Sequence, residues 1–361
     1  MSRVVLESIT KQYPGGVEAV SDVSLVVDDG EFVTLVGPSG CGKTTTLRTI
    51  AGFEQPTNGF VGINENRVNT VPPDKRDIGM VFQDFALFPH KTVAENIAYG
   101  LKVRGYESDH IDNRVDEMLK LVELPETRER MPDQLSGGQQ QRIALARAVA
   151  PEPDVLLLDE PLASLDKKLR ETMQVELRRI QRTLDITTIL VTHNQKEALT
   201  MSDRIVVMND GNFEQVGAPK TVYSNPETPF VADFVGTANI FTGSVSAVDG
   251  DTATIDCGHT TIHSTDTDDV AIGDSVSAVF RPEHLSIADP QTATDGAGDQ
   301  RTVFDGTVSV SRYTGDQIEY HVHTETDEQI VAVQRVAETN IVEGSDVSLE
   351  LSAENCLLLD Q

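Results

Sequence analysis

Cysteine, tryptophan and long apolar runs are scarce in this sequence of 361 residues, and each shortage excludes a class of protein. Tryptophan is absent, and the cysteines are three, far apart and without a CxxC pair: Cys41, Cys257 and Cys356. A sparse, odd set of this kind is typical of reduced cytosolic thiols and excludes a disulfide framework. No apolar run approaches the length that crosses a bilayer, and the first ten residues lack the pattern of a secretory signal. The sequence therefore predicts a cytosolic chain that acts at a membrane only through a partner.

Basic residues are the other shortage. The sequence has 29 Lys and Arg against 58 Asp and Glu, and residues 241–361 combine 23 acidic residues with four Arg and no Lys, a net charge of −19. Such a surface repels the phosphates of nucleic acids, so no nucleic acid partner is predicted. Two interpretations stay open, an ordinary acidic surface and adaptation to high cytosolic salt. The scarcity of Lys and the even spread of Asp favour the second.

The chain is too long to form a single hydrophobic core of ordinary size, and the pattern of its residues changes near residue 236. Before that point, apolar runs such as residues 155–158 and 187–192 alternate with helix-like segments, which predicts an α/β domain with a parallel sheet over residues 1–235. Beyond it, short Val/Thr/Ile segments lie between Gly, Asp and Asn, which predicts an all-β domain over residues 236–361, a small barrel.

A glycine-rich segment carries the first chemical signal. Residues 37–44, GPSGCGKT, match G-x-x-x-x-G-K-[ST] and lie between a predicted strand and a predicted helix, the context that this phosphate loop requires. Glycines let backbone N–H groups turn inward around an anion, backed by a helix N-terminus. Lys43 would reach the β- and γ-phosphates, and Thr44 would bind Mg²⁺. The alternative, a chance glycine-rich turn, is disfavoured by that context.

Two carboxylates follow the apolar run of residues 155–158. Asp159 ends the apolar run of residues 155–158, and Glu160 comes directly after it. A carboxylate at a strand end beside a phosphate loop suits Mg²⁺, and its neighbour could polarise an attacking water. The competing interpretation is an acidic turn without a catalytic role.

The segment Leu135-Ser136-Gly137-Gly138-Gln139 decides the class, because here the sequence resembles the ATP-binding-cassette (ABC) ATPases. A serine at a helix start followed by two glycines suits a second anion cradle, formed by a hydroxyl, bare amides and a helix dipole. Taken alone, the segment could be a plain helix cap. The resemblance covers residues 3 to about 235 and implies a P-loop NTPase fold with a helical subdomain at about 85–150.

The resemblance also implies roles for single residues. Tyr13 would stack on adenine, Gln83 would sense Mg²⁺ and the transport partner, Asp166 would cross a dimer interface, and His193 would contact the γ-phosphate. Packing, a buried amide, an N-cap and a structural histidine are the respective alternatives. The implied ATP site comprises Tyr13, Gly37, Pro38, Ser39, Gly40, Cys41, Gly42, Lys43, Thr44, Thr45, Gln83 and Asp159, completed in trans by Ser136, Gly137, Gly138, Gln139 and Asp166. The implied catalytic residues are Glu160, His193, Lys43 and Gln83, and the implied Mg²⁺ ligands are Thr44, Gln83 and Asp159.

The second half is similar to the TOBE domain, an OB-like regulatory domain of ABC importers. The local matches are residues 230–241, FVADFVGTANIF, and residues 281–284, RPEH. The resemblance therefore implies an importer: a homodimer of this chain with two transmembrane permease subunits and a solute-binding protein, peripheral at the cytoplasmic face of the membrane.

Alternatives stay open for the transported solute and for the class of protein. Residues 236–239, GTAN, are more similar to the polyamine, ferric-iron or thiamine subgroup than to the sugar subgroup, while a sugar or oxyanion importer stays open. A soluble ABC ATPase of DNA repair or ribosomes is the rival from another class, disfavoured by the acidic charge and the absence of heptads. A regulator that no longer hydrolyses ATP is the third interpretation, and Glu160 and His193 argue against it.

An apolar segment beside Gln83 predicts the contact with the membrane subunits. Phe85, Leu87, Phe88 and Pro89 follow within six residues of Gln83 and could receive a short helix of the permease. The same residues could instead form the internal core of the helical subdomain.

Overall fold

The computed structural model of the protein describes residues 2–267, 270–288, 301–326, 328–336 and 341–360. The chain divides into two compact units after Val222. The domain boundary predicted from the sequence lies later in the chain, after residue 235, and stays a prediction. None of the helices in the described ranges is long and apolar enough to cross a membrane.

The first unit alternates strands and helices, as the sequence predicts. Its strands are β1 (Val4–Gln12), β2 (Glu18–Val27), β3 (Phe32–Val36), β4 (Asn58–Ile63), β5 (Asn66–Arg67), β6 (Ile78–Val81), β7 (Val155–Asp159), β8 (Thr187–Thr192), β9 (Arg204–Asn209) and β10 (Asn212–Gly217). Its helices are α1 (Lys43–Ala51), α2 (Val93–Val103), α3 (Ser108–Leu121), α4 (Gly137–Val149), α5 (Lys167–Leu184) and α6 (Gln195–Met201), and α7 (Pro219–Ser224) spans the division. Short 3-10 turns lie at Pro73–Lys75, Pro125–Thr127 and Pro132–Gln134.

A six-stranded sheet forms the centre of this unit, in the order β10-β9-β3-β8-β7-β6. All its pairs are parallel except β9 with β10, and an antiparallel sheet of order β2-β1-β4-β5 lies beside it. Alternate residues of β7 enter different cores: Leu156 and Leu158 pack with helices α2 to α5, whereas Val155 and Leu157 pack with α1 and the antiparallel sheet. Burial of both faces explains why this strand is a continuous apolar run.

Helices α2, α3 and α4 occupy the segment where the helical subdomain is predicted, and side-chain caps set the start of two of them. Thr92 and Glu95 form a reciprocal capping box at the start of α2, and Ser136 and Gln139 form one at the start of α4. Each box satisfies two backbone N–H groups that the helix itself leaves unpaired. The start of α4 is thus fixed at the predicted anion cradle.

The second unit confirms the prediction of a β-rich C-terminal domain. After α8 (Pro229–Val235) come β11 (Asn239–Asp249), β12 (Thr252–Asp256), β13 (Thr261–Ser264), β14 (Ser275–Phe280), β15 (Leu285–Ala288), β16 (Arg301–Tyr313), β17 (Gln317–Thr324), β18 (Gln329–Arg335), β19 (Asp346–Ser352) and β20 (Leu357–Asp360), with 3-10 turns at Pro282–His284 and Ala353–Asn355. They form two antiparallel sheets, β13-β12-β11-β14-β20 and β15-β19-β16-β17-β18. Phe241, Phe280 and Phe304 stack in their shared core, with ring centroids 5.6–5.7 Å apart.

Candidate active site

The candidate site lies at the carboxyl ends of three neighbouring parallel strands. Val36 of β3 pairs with Thr192 of β8, and Asp159 of β7 pairs with Val191 of β8. The phosphate loop, the Asp159–Glu160 turn and His193 therefore leave the sheet at one edge. Open parallel sheets place ligands at this edge, where loops converge and helix N-termini begin.

Backbone shape makes the phosphate loop a tight cradle. A Cβ at Gly37 would lie 2.2 Å from the Met208 carbonyl oxygen, and one at Gly42 would lie 2.3 Å from the Ala19 carbonyl oxygen. Gly42 also has a φ of +106°, which disfavours any other residue. Because no side chain caps the start of α1, its first N–H groups stay available for an anion.

Lys43 and Tyr13 flank that cradle. The Lys43 ammonium is buried and donates to the carbonyl oxygens of Gly37 and Pro38, each 2.7 Å away, and it lies 3.6 Å from the Cys41 sulfur. The Tyr13 hydroxyl lies 3.5 Å from the Thr45 hydroxyl, at the first turn of α1. The structure thus brings Tyr13 to the phosphate loop, where an aromatic ring could stack on a base.

Asp159 and Thr44 offer oxygen atoms for a metal ion. Asp159 is 9% exposed, and the Thr44 hydroxyl lies 3.5 Å from its carboxylate. Burial raises the pKa of Asp159, a shift that Arg48 opposes and Glu160 adds to. A nearby cation would stabilise the charged form of this buried carboxylate. A set of ligands that are all oxygen atoms suits Mg²⁺. The described ranges hold no cluster of three or more His, Cys, Asp or Glu.

Gln83 and Asp159 line one cavity. The cavity has a volume of about 700 Å³, and its lining includes Gln83, Asp159, Arg48 and Gln140. Gln83 itself is exposed. The structure therefore favours the ligand or sensor interpretation of Gln83 over a buried amide that satisfies backbone groups.

Glu160 and His193 form a close pair above the sheet. The Glu160 Oε2 and His193 Nδ1 atoms are 3.0 Å apart, although 33 residues separate them in sequence. Glu160 has a φ of +46°, and its N–H donates to the Val191 carbonyl oxygen at 3.0 Å. A left-handed glutamate is strained, and such strain concentrates where a side chain must be aimed. In this pair, the Glu160 carboxylate could accept a proton from water, and the His193 imidazole holds that carboxylate in place.

Sequence reasoning missed a buried carboxylate that contacts Thr192, the residue directly before His193. Glu197 is 3% exposed and accepts a hydrogen bond of 2.7 Å from the Thr192 hydroxyl. Burial raises the pKa of Glu197, while Thr192 and the guanidinium of Arg170, 3.7 Å away, favour its charged form. Arg170 also donates to the carbonyl oxygens of Leu162 and Leu165, in the turn after Glu160. A carboxylate four residues after His193 was the available signal.

The remaining predicted residues lie at two helix starts. Ser136 and Gly137 are exposed at the start of α4, and the Gln139 carboxamide accepts from the Ser136 N–H at 3.0 Å. Gly138 is buried, and a Cβ there would lie 2.8 Å from Leu169. Asp166 accepts from the Leu169 N–H at 3.0 Å, so it caps α5 as the alternative predicted. A role of these residues in trans stays a prediction.

The apolar segment after Gln83 is divided between core and surface. Phe85 is 6% exposed and belongs to the core around the helices, so it follows the alternative of an internal core and not the docking interpretation. Phe88 is partly exposed and packs on Tyr99, with ring centroids 4.6 Å apart, and Pro89 is exposed. Tyr99 is itself 43% exposed. Phe88, Pro89 and Tyr99 therefore form an apolar patch at the surface, called the Phe88 patch below.

Two protein-family models match the chain. The model described as ABC transporter matches residues 20–163, and the model described as TOBE domain matches residues 278–359. Among solved structures, a dimeric ATP-binding cassette in a post-hydrolysis state with ADP and phosphate is 36% identical, with a TM-score of 0.54. The match covers 60% of this chain and 98% of that one.

Curated relatives match over most of their length. The spermidine/putrescine import ATP-binding protein PotA of Thermobifida fusca is 48% identical, with 92% of this chain and 86% of the relative covered. The protein of the same name from Rubrobacter xylanophilus is 45% identical, with 99% of this chain and 93% of the relative covered. The similarity thus extends through both units.

Proposed function

Because the chain belongs to the ATP-binding subunits of ABC importers that carry a C-terminal TOBE domain, we propose that it drives uptake of a polyamine through two separate membrane subunits. The observation that carries the catalytic part is the Glu160–His193 pair, 3.0 Å apart at the edge of the sheet that also holds Lys43 and Asp159. The names of the relatives support the solute, and ferric iron, thiamine, sugar or oxyanion transport are the alternatives.

Hydrolysis needs few groups, because phosphoryl transfer to water depends on positioning and charge neutralisation. The phosphate-loop N–H groups and Lys43 hold the β- and γ-phosphates. Glu160 accepts a proton from the attacking water, and His193 keeps that carboxylate and the γ-phosphate aligned. Mg²⁺, when bound by Thr44, Asp159 and Gln83, neutralises phosphate charge.

Assembly as a homodimer follows from the exposed cradle at Ser136 and Gly137. One chain offers one phosphate loop and one such cradle, and twofold symmetry would let each cradle close the other chain's site. The solved cassette with ADP and phosphate is dimeric, which supports assembly as a dimer. In the whole transporter we place this chain at the cytoplasmic face of the membrane, below two permease subunits, with a solute-binding protein on the opposite side.

The experiment that tests the function is uptake of labelled solutes by cells in which the gene for this chain is disrupted. Spermidine and putrescine uptake should be lost, while maltose, thiamine and iron uptake should persist. The wild-type chain should restore uptake, and Glu160→Gln should not. Persistent polyamine uptake in the disrupted cells would contradict the proposed solute, and loss of another solute would identify its replacement.

The Phe88 patch is the proposed contact for a permease helix. Tyr99→Glu places a charge on a face that an apolar helix must cover, so we expect permease binding to fall about tenfold or more. Val175→Glu, at another exposed apolar residue of the same unit, is the matched control and should bind normally. Pull-down of permease subunits measures binding, and the melting temperature checks folding. Equal binding by both variants would place the docking site elsewhere.

Salt should stabilise the protein, which is the proposed meaning of its acidic surface. The described residues of positions 241–361 contain two ion pairs, Arg301–Glu350 and Arg312–Glu319, and a contact between His321 and Glu319, whereas the sequence of these positions has 23 acidic residues. Repulsion therefore exceeds attraction, and salt shortens its range from about 10 Å at 0.1 M to about 3 Å at 1 M. Calorimetry in KCl should show a rising melting temperature. A constant or falling value would contradict adaptation to salt.

A further inference from the structure

Two adjacent residues of the loop after Gln83 have left-handed backbones. Phe85 has a φ of +61° and Ala86 a φ of +44°, and neither is a glycine. A side chain in this region crowds the backbone, and two such residues in succession are uncommon outside functional sites. The loop therefore has a relaxed alternative, unless the surrounding structure holds it in place.

Arg147 holds it from the last turn of α4. Its guanidinium donates to the carbonyl oxygen of Ala86 at 2.6 Å and to that of Phe85 at 2.8 Å. The same guanidinium lies over the ring of Phe88, 5.6 Å from its centroid. The planar fork of arginine can bridge two neighbouring carbonyls, which a lysine ammonium does less well. Both strained residues are thus restrained by one side chain.

Asn96 fixes the far end of the same loop. It is fully buried on α2, accepts from the Phe88 N–H at 2.8 Å, and donates to the carbonyl oxygens of Phe88, Lys91 and Thr92 at 3.0–3.2 Å. Because Asn96 holds Phe88 in place, Phe85 and Ala86 cannot relax by a shift of the backbone towards Phe88. Gln83 and Asp84, which are exposed, lie between β6 and the part of the loop that Arg147 contacts.

The position of Arg147 connects two parts of the proposed machinery. The start of α4 carries Ser136, and its last turn carries Arg147, so one helix joins the anion cradle to the loop of Gln83. Gln83 lines the cavity that contains Asp159. Because Arg147 belongs to α4 and contacts the loop after Gln83, a movement of α4 would change these contacts.

We propose that Arg147 is a positioning residue that keeps Phe85 and Ala86 left-handed so that Gln83 stays aimed at the Asp159 cavity. The inference rests on the proposed ATPase function. The hydrogen bonds of Arg147 within the described residues go to the loop after Gln83 and not to the phosphate loop, so its loss should affect turnover and spare ATP binding. The strained loop has two arrangements in this proposal, and it changes to the relaxed one when the hydrogen bonds from Arg147 to the Phe85 and Ala86 carbonyl oxygens break.

The test separates kcat from KM and includes a rescue. Arg147→Gln should lower kcat of the full-length chain about tenfold with KM for ATP changed by less than about twofold, and Arg147→Lys should be intermediate. Adding Ala86→Gly, which relieves the left-handed strain, should restore kcat to within about threefold of wild type. Arg142→Gln, on the same helix, is the matched control and should keep kcat. A folded Arg147→Gln chain with normal kcat, or a loss that Ala86→Gly does not restore, overturns the inference.

A second variant decides the case in which Arg147 variants fail to fold. Ala86 is exposed, so Ala86→Val leaves the packing intact while a β-branched residue disfavours the left-handed backbone. We expect kcat to fall about threefold or more, whereas Ala218→Val, at an exposed alanine without this backbone, should have no effect. Normal kcat in Ala86→Val overturns the inference. Glu160→Gln assayed in parallel reports on the ATPase assignment itself, so the two failures are distinguishable.

Discussion

Glu160→Gln is expected to bind ATP as the wild-type chain does while its turnover falls by roughly 10²-fold or more. The amide keeps the size of the side chain and can still hydrogen-bond His193 Nδ1, which lies 3.0 Å from the carboxylate. It cannot accept a proton from water at neutral pH. Because Lys43 and the phosphate loop are unchanged, binding should not depend on this residue.

The matched control is Glu152→Gln. Glu152 is also a glutamate with a left-handed backbone, at φ +53°, but it pairs with Arg114 and lies outside the candidate site. Glu152→Gln should leave both the turnover and the affinity for ATP unchanged. Steady-state phosphate release measures turnover, and equilibrium binding of labelled ATP measures affinity. Hydrolysis by Glu160→Gln at the wild-type rate would remove Glu160 as the general base.

Mixing two inactive chains should recover activity, because each site of the proposed homodimer takes groups from both. Lys43→Ala removes the buried ammonium of the phosphate loop. Ser136→Asp keeps an N-cap for α4 but places a negative charge where a γ-phosphate must approach, and Ser136→Asn is the neutral control that also caps. In a mixed dimer, one site contains both defects and the other contains neither.

The size of the recovery is predictable. Random association makes about half of the dimers mixed, each with one intact site, so the rate should reach up to about a quarter of wild type if the sites act independently. Each chain alone should stay near zero. No recovery, with mixed dimers proven by differential tags, would contradict a site shared between two chains.

Contiguous motifs made much of the site predictable from the sequence. The phosphate loop and the Asp159–Glu160 pair each combine an apolar run with a chemical signature, and a strand buried on both faces must be apolar throughout. The resemblance implied the role of His193, and parallel strands end at one edge of a sheet, which explains why Lys43, Asp159 and His193 lie together. The structure has them at neighbouring strand ends.

Contacts between distant segments were not predictable. The support of Thr192 by Glu197 and Arg170, and the bridge from Arg147 to two loop carbonyls, depend on how α4, α5 and α6 pack. Backbone strain at Glu160 has no sequence signal, since nothing in a glutamate marks a positive φ. The burial of Phe85 stayed one of two alternatives, because an apolar segment alone does not distinguish core from docking surface.

Proteoliposomes that contain this chain with its two membrane subunits, solute-binding protein and labelled spermidine test the central claim most directly, because phosphate release and solute uptake are measured in one sample. With the wild-type chain, both should require Mg²⁺ and ATP and rise together when spermidine is present. With Glu160→Gln, both should fall by roughly 10²-fold or more while the complex stays assembled. Uptake that continues without hydrolysis, or hydrolysis that proceeds without any uptake of the solutes tested, would contradict the account.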